Sequence, residues 1–165
     1  MLLQILIGLA IGLVSMVLVL FFIKWSASGP KDLGIANGGL KPCGNSPNCI
    51  CSEDSRKGFG TERIPFLGKA EPDVITSKLR SLPRTKIIKV LKGPTMDPVL
   101  GDIPPGGFLI HAESRSLLIG FVDDIQIYFT PGSNELQIRS SSRAGYSDLG
   151  VNTSRVSKIR LLLKE

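Results

Sequence analysis

The chain has 165 residues and a formal net charge of +6, with 20 Lys and Arg against 14 Asp and Glu. This length leaves room for one domain and an anchor rather than for two domains. The basic residues form neither a basic helix nor a basic strand interleaved with aromatics, which argues against a nucleic-acid partner. The sequence also contains no phosphate loop, dinucleotide fingerprint, nucleophile elbow or H-E-x-x-H zinc motif.

Residues 1–25 are predicted to form a transmembrane anchor. No residue from Leu2 to Ile23 is charged, and a helix of this length, at about 1.5 Å per residue, crosses a hydrocarbon core of about 30 Å. Only a helix satisfies the backbone of such a segment in lipid. The alternative is a cleaved signal peptide with the Ser-Ala-Ser at 26–28 as its cleavage site. Against it, the apolar run is too long for a usual signal peptide, and no Lys or Arg precedes it.

Residues 26–39 are rich in Gly, Ser and Asn and are predicted to be a flexible linker, followed by a single α+β domain at 40–165. Residues 40–66 are punctuated by Gly and Pro, which predicts a loop-rich first segment. A helix is expected from Pro72, a good first-turn residue, to Leu82.

Four strands are predicted at about 85–91, 108–113, 118–129 and 136–140, the last three as an antiparallel meander. The proline-rich residues 93–107 are expected to be a loop. A final helix is expected at about 154–163, with Asn152 or Thr153 as its N-cap. The predicted fold is therefore α+β: one N-terminal transmembrane helix, then a four-stranded, mostly antiparallel sheet covered on one face by two helices.

Asp123 is the most informative polar position, because it has the same parity as the apolar residues of its strand. A carboxylate that points into a core is costly unless it is paired or hydrogen-bonded. The nearest candidate cations are Arg139 and Arg143. The alternative is a β-bulge at Asp123 and Asp124 that turns both side chains to solvent.

The segment 139–152 combines two arginines, four serines and a following helix start, which is a plausible anion site. In the alternative interpretation it is a capped turn, and its arginines pair with the two aspartates. The structural interpretation is favoured, because ion-pair networks outnumber binding sites. The candidate anion-binding or structural cluster comprises Asp123, Asp124, Arg139, Ser141, Arg143, Ser147, Asp148 and Asn152.

His111 is the only histidine and is a secondary candidate, since a lone histidine is more often structural than catalytic. The cysteines and His111 match no trusted zinc spacing, so neither a metal nor a cofactor is predicted. Cys43 and Cys49 enclose a loop short enough to close as a disulfide, which persists only in an oxidising compartment. Lys24 and Lys31 flank the end of the anchor, and the positive-inside rule would instead place the domain in the cytoplasm.

Three segments resemble the family called domain of unknown function 1499: Leu40–Cys49 (LKPCGNSPNC), Phe121–Ile125 (FVDDI) and Ile138–Asn152 (IRSSSRAGYSDLGVN). The resemblance covers residues 40–163 and implies no established activity. It implies an exported or membrane-anchored bacterial protein, with relatives in photosynthetic organelles. Because the family pattern carries Cys43 and Cys49, it favours that disulfide and an extracytoplasmic domain. Cys51 stands where the family usually has Ser.

Two functions from different classes remain open. The first is a non-enzymatic binding or assembly module, single-pass in the cytoplasmic (inner) membrane, whose partner beyond the bilayer is an anionic lipid headgroup or a membrane protein. The second is a hydrolase or transferase that uses Asp123 or Asp124 with His111 and Arg139. This enzyme requires those groups to converge in one pocket. The sequence predicts no oligomeric state.

Overall fold

The computed structural model describes residues 1–26, 29, 32–66, 70–117 and 120–164. The cleavage-site residues 27–28, Lys31 and the predicted strand start at 118–119 lie outside these ranges. The elements in chain order are α1 (Leu2–Ser26), β1 (Ile35–Ala36), β2 (Gly39–Leu40), β3 (Cys49–Cys51), β4 (Ile64–Pro65), α2 (Pro72–Arg80), β5 (Thr85–Lys92), β6 (Thr95–Asp97), β7 (Gly101–Ile103), β8 (Phe108–Arg115), β9 (Val122–Phe129), β10 (Glu135–Ser142) and α3 (Val151–Lys164).

The N-terminal helix α1 carries exposed apolar side chains all around its axis, such as those of Leu9, Ile11 and Phe21. A helix that is apolar on every side requires apolar surroundings. Its segment Leu2–Phe22 is long and apolar enough to cross a membrane, and a signal sequence has the same properties.

The main sheet has six antiparallel strands in the order β3-β10-β9-β8-β5, with β4 also paired to β10. The predicted α+β class is confirmed, and β5, β8, β9 and β10 are the four predicted strands. The predicted strand count was too low, because β3 and β4 arise from the segment 40–66, which was expected to be loop-rich. Residues 93–107, also expected to be a loop, contain the small hairpin β6–β7.

Helices α2 and α3 cover one face of the sheet, as predicted. Ile75 and Leu79 from α2 and Val156 and Ile159 from α3 are buried against the sheet. Their sheet partners are alternate residues of the central strands, Ile110, Ala112, Ile125, Ile127 and Ile138. This is the period-2 pattern of a half-buried strand packed on helices with 3.6-residue periodicity.

The second face of the sheet is covered by loops and short hairpins rather than by helices. Leu33, Leu40, Leu100, Leu109 and Tyr128 form part of a separate apolar cluster on this face. Folded structure therefore begins before residue 40, since Leu33 is buried and β1 pairs with β2.

The buried carboxylates of Asp97 and Asp54 hold the loops that cover this face in place through hydrogen bonds and ion pairs. The side chain of Asp97 accepts the backbone N–H groups of Val99 and Leu100 and pairs with Lys89, and these contacts lower its pKa to about 2. Asp54 pairs with Arg56, which lowers the pKa of Asp54 to about 2 as well. Both loops are thus held by ionised side chains at neutral pH.

Helix α3 begins earlier than predicted, so Asn152 and Thr153 lie inside it rather than at its N-cap. The side chain of Asp148 accepts the backbone N–H of Gly150 at 3.1 Å and that of Asn152 at 2.6 Å. Leu149 and Gly150 turn the chain with positive φ values of 53° and 81°. Asp148 is therefore the residue that satisfies the free amides of the first turn.

Candidate functional site

The second face of the sheet buries a row of polar side chains on neighbouring strands. Five residues, one from each of five strands, stand opposite one another across the sheet. They are Cys51 on β3, Arg139 on β10, Gln126 on β9, His111 on β8 and Lys89 on β5. Adjacent strands are about 4.8 Å apart, so the middle three residues form a compact group. We call Arg139, Gln126 and His111 the polar row.

Asp123 and Asp124 lie on opposite faces of the sheet, because successive residues of a strand alternate. Asp123 stands opposite Ser142 and Asp124 opposite Ser141, in unbroken register. The continuous pairing leaves no β-bulge at this point. Both carboxylates are buried, Asp123 on the helix-covered face and Asp124 beside the polar row.

The cation that holds Asp123 is Arg155 of α3, not Arg139 or Arg143. Arg155 Nη2 lies 2.5 Å from Asp123 Oδ2, and its Nη1 also donates to Ser140 Oγ at 3.0 Å and Asn152 Oδ1 at 2.5 Å. Sequence reasoning missed this arginine. Helical spacing offered a signal, since residue 155 immediately precedes the buried Val156 and follows Asn152 by three.

Asp124 is the centre of a buried ion network. Its carboxylate accepts hydrogen bonds from Arg143 at 2.7 and 2.8 Å and from His111 Nε2 at 2.7 Å. Arg143 also donates to Glu113 at 2.5 Å. Burial alone would raise the pKa of Asp124, but the hydrogen bonds from Arg143 and His111 hold that pKa below its ordinary value. The hydrogen bonds to Asp124 in turn raise the pKa of Arg143.

Arg139 is buried without such a partner. Arg139 is only 3% exposed. Within the described residues, no atom accepts a hydrogen bond from its Nε or Nη1. The neighbouring Gln126 is 0% exposed, and neither atom of its amide has a partner in the same part of the chain. Burial lowers the pKa of Arg139, although a guanidinium stays charged.

The Arg139 side chain lines a cavity of about 210 Å³. The sheet contributes Asp124, Arg139 and Ser141, and Arg143 lies at the strand end. The disulfide loop and the chain that follows α1 supply the opposite side, which includes Asn48 and Asp32. We call this the polar cavity.

The predicted cluster is therefore divided among four places. Asp124, Arg139, Ser141 and Arg143 line the polar cavity. Asn152 is buried beneath α3, where its Nδ2 donates to the backbone oxygen of Asn48 at 2.8 Å and ties the disulfide loop to the helix. Ser147 and Asp148 accept local backbone N–H groups before α3, and Asp123 pairs with Arg155.

Cys43 and Cys49 form a disulfide, with a Cα–Cα distance of 5.7 Å. Their loop forms one wall of the polar cavity. Cys51 is a free, fully buried thiol, and burial raises its pKa to about 11. A protonated, inaccessible thiol is a poor nucleophile and a poor partner for disulfide exchange.

Of the predicted enzymatic set, Asp124 and Arg139 line the polar cavity and His111 hydrogen-bonds Asp124 at 2.7 Å, whereas Asp123 lies apart. Asp123 lies on the opposite face of the sheet from Asp124, His111 and Arg139. Asp124 is already bound by Arg143, and among the described residues no hydroxyl or thiol hydrogen-bonds His111. The described chain also holds no group of three side chains suited to bind a metal ion.

These observations define an α+β domain that buries a polar row, preceded by an apolar helix that could span a membrane or be a signal sequence. The chain belongs to the family described as Protein of unknown function (DUF1499), whose model matches residues 39–163. This match confirms the predicted family. No curated protein matches the chain, and no solved structure matches it.

Proposed function

We propose that this protein is a non-enzymatic, membrane-anchored module that binds a small oxyanion, such as a phosphate group, in the polar cavity. The observation that carries the proposal is the buried Arg139 guanidinium, whose Nε and Nη1 have no partner among the described residues. An unpaired charge in a protein interior costs several kcal/mol. Asp32 and Asp124 attract this guanidinium only through space, and an anion in the cavity would add a counter-charge in direct contact with the Arg139 side chain.

The other charges of the cavity are compatible with this role. Arg143 is balanced by Asp124 and Glu113, so Arg139 is the cation left to bind a ligand. Asp32 lies on the exposed side of the cavity, and its negative charge would repel a bound anion. The volume of about 210 Å³ is below the roughly 300–1,000 Å³ of pockets for drug-sized ligands, and it suits a small charged group.

Arg139→Met should weaken binding of phosphate and glycerol phosphate by about tenfold or more, because a charge-assisted hydrogen bond is lost. Binding is measured by calorimetry on the full chain in galactolipid nanodiscs, so that neither the lipid nor the buffer contains phosphate. Asp32→Asn should tighten binding, since it removes an opposing charge. Arg80→Met, at an exposed arginine of α2, is the matched control and should leave binding unchanged. Equal affinities in wild type and Arg139→Met would refute the proposal.

We place the domain on the extracytoplasmic side of the cytoplasmic membrane, tethered by a retained α1. The Cys43–Cys49 disulfide supports this side, because such bonds persist in oxidising compartments. In acid-quenched cells, an alkylating reagent added under denaturing, non-reducing conditions should modify Cys51 alone. Modification of all three cysteines, read by mass spectrometry, would place the domain in the cytoplasm. Release of the protein by carbonate extraction would show that the helix is not retained.

A further inference from the structure

A second cavity, of about 250 Å³, lies on the same face of the sheet. Most of its lining residues are apolar, namely Leu33, Ile88, Pro98, Val99 and Leu100. His111 and the paired Lys89 and Asp97 complete the lining. Val99 is 58% exposed and Ile88 42% exposed, so this apolar surface is in contact with water. We call it the apolar cavity.

The two cavities lie on either side of one buried contact. His111 lines the apolar cavity, and Asp124, which it contacts at 2.7 Å, lines the polar cavity. The chain that covers them is also shared, since Asp32 contributes to one cavity and Leu33 to the other. His111 and Arg139 flank Gln126 in register, which separates their backbones by about 10 Å at two strand spacings.

We propose that the ligand is an amphiphile, a phosphate-bearing lipid whose charged head enters the polar cavity and whose hydrocarbon part lies in the apolar cavity. This inference rests on the proposed anion site at Arg139. The Arg139 guanidinium favours a ligand with a negatively charged head. The apolar cavity offers a surface on which the ligand's hydrocarbon chain can pack. A hydrocarbon that covers exposed Val99 and Ile88 would remove apolar area from water.

The position of the anchor makes a bilayer lipid the occupant. Asp32 follows Ser26, the last residue of α1, by only six residues. At most about 3.6 Å per residue, this segment spans about 20 Å. With α1 in the membrane, Asp32 in the polar cavity and Leu33 in the apolar cavity therefore lie within about 25 Å of the end of the membrane helix. A lipid that is partly withdrawn from the bilayer can reach them there.

The test is a series of n-alkyl phosphates of increasing chain length, titrated below their micelle concentrations into the full chain in nanodiscs of a galactolipid, which contains no phosphate. Affinity should rise about fourfold per methylene, the gain expected for each buried CH₂, until the cavity is filled. Titrations into empty nanodiscs correct for partition into lipid. Phosphatidic acid included in the nanodiscs should compete with the alkyl phosphates.

Val99→Asn should remove the chain-length gain and, because it adds no charge, leave the affinity for glycerol phosphate nearly unchanged. The matched control is Val74→Asn on α2, because Val74 is 54% exposed and lies on the helix-covered side of the sheet. Arg139→Met should weaken binding of every member of the series. A chain-length gain that is the same in Val99→Asn and in wild type would refute the proposed lipid ligand. So would binding of phosphate with no gain along the series, which would assign the site to a free anion. Failure of wild type to bind glycerol phosphate at all would instead refute the proposed function.

Discussion

Replacing Arg139 by methionine should raise the free energy of unfolding of the ligand-free domain by about 1 to 4 kcal/mol, the range seen when a buried ion pair or triad is replaced by apolar residues. Arg139 is 3% exposed, and its Nε and Nη1 have no hydrogen-bond partner in the described part of the chain, so its desolvation is poorly offset. Methionine keeps most of the side-chain length, adapts its shape readily and carries no charge. The measurement is urea unfolding of the full chain in nanodiscs without phosphate.

The same experiment links stability to binding. Added phosphate should stabilise the wild type by mass action and leave Arg139→Met unchanged, since only a folded state with an intact site gains from ligand. Arg80→Met should change stability by less than about 0.5 kcal/mol, as expected for an exposed position. A clear loss of stability in Arg139→Met would mean that the guanidinium is a structural partner, and the argument for the anion site would fail.

Arg143→Met should have the opposite effect and lose about 3–5 kcal/mol, because it leaves the buried Asp124 carboxylate without its main cation. Arg143 makes contacts of 2.7 Å with Asp124 and 2.5 Å with Glu113. The pKa of Asp124 is depressed in the folded wild type, so this carboxylate contributes stability above its unfolded pKa of about 3.9 and loses it as the pH falls through the folded value. The difference between wild type and variant should therefore narrow in acid.

Arg115→Met is the matched control for the second variant. Arg115 also contacts Glu113, at 3.4 Å, but its side chain is 55% exposed. Exposed pairs contribute about 0–1 kcal/mol, so this substitution should have a small effect. If Arg143→Met and Arg115→Met cost the same, the Asp124 network does not stabilise the domain, and its contacts serve another purpose.

Most regular elements could be predicted because their apolar residues follow a clear period. Alternation along β8 and β9 and the helical spacing of Ile75 and Leu79 give strong signals. The strands β3 and β4 have three and two residues, which is too short for any period to be visible. Their positions depend on tertiary pairing with β10, and single-sequence patterns do not report such pairing.

The candidate site was harder to predict for a related reason. Along β8, β9 and β10 the residues His111, Gln126 and Arg139 alternate with apolar ones, which is the usual pattern of a sheet face open to solvent. Here the loops after α1 and around β6–β7 cover that face. The sequences of those loops have no periodicity from which this covering could be predicted. Asp123 is buried, as its parity suggested, but its partner Arg155 lies 32 residues away on a helix, and strand periodicity does not report which helical residue faces it.

One wall of the polar cavity depends on a covalent bond that many purification buffers would break. The Cys43–Cys49 bridge closes the loop that carries Asn48, and Cys49 begins the edge strand β3, which pairs with the strand of Arg139. Reduction by dithiothreitol should therefore loosen both the loop and the edge of the sheet beside the cavity. Preparations made with and without reductant therefore differ at this cavity. Ligand screens should use protein in which the Cys43–Cys49 disulfide is intact.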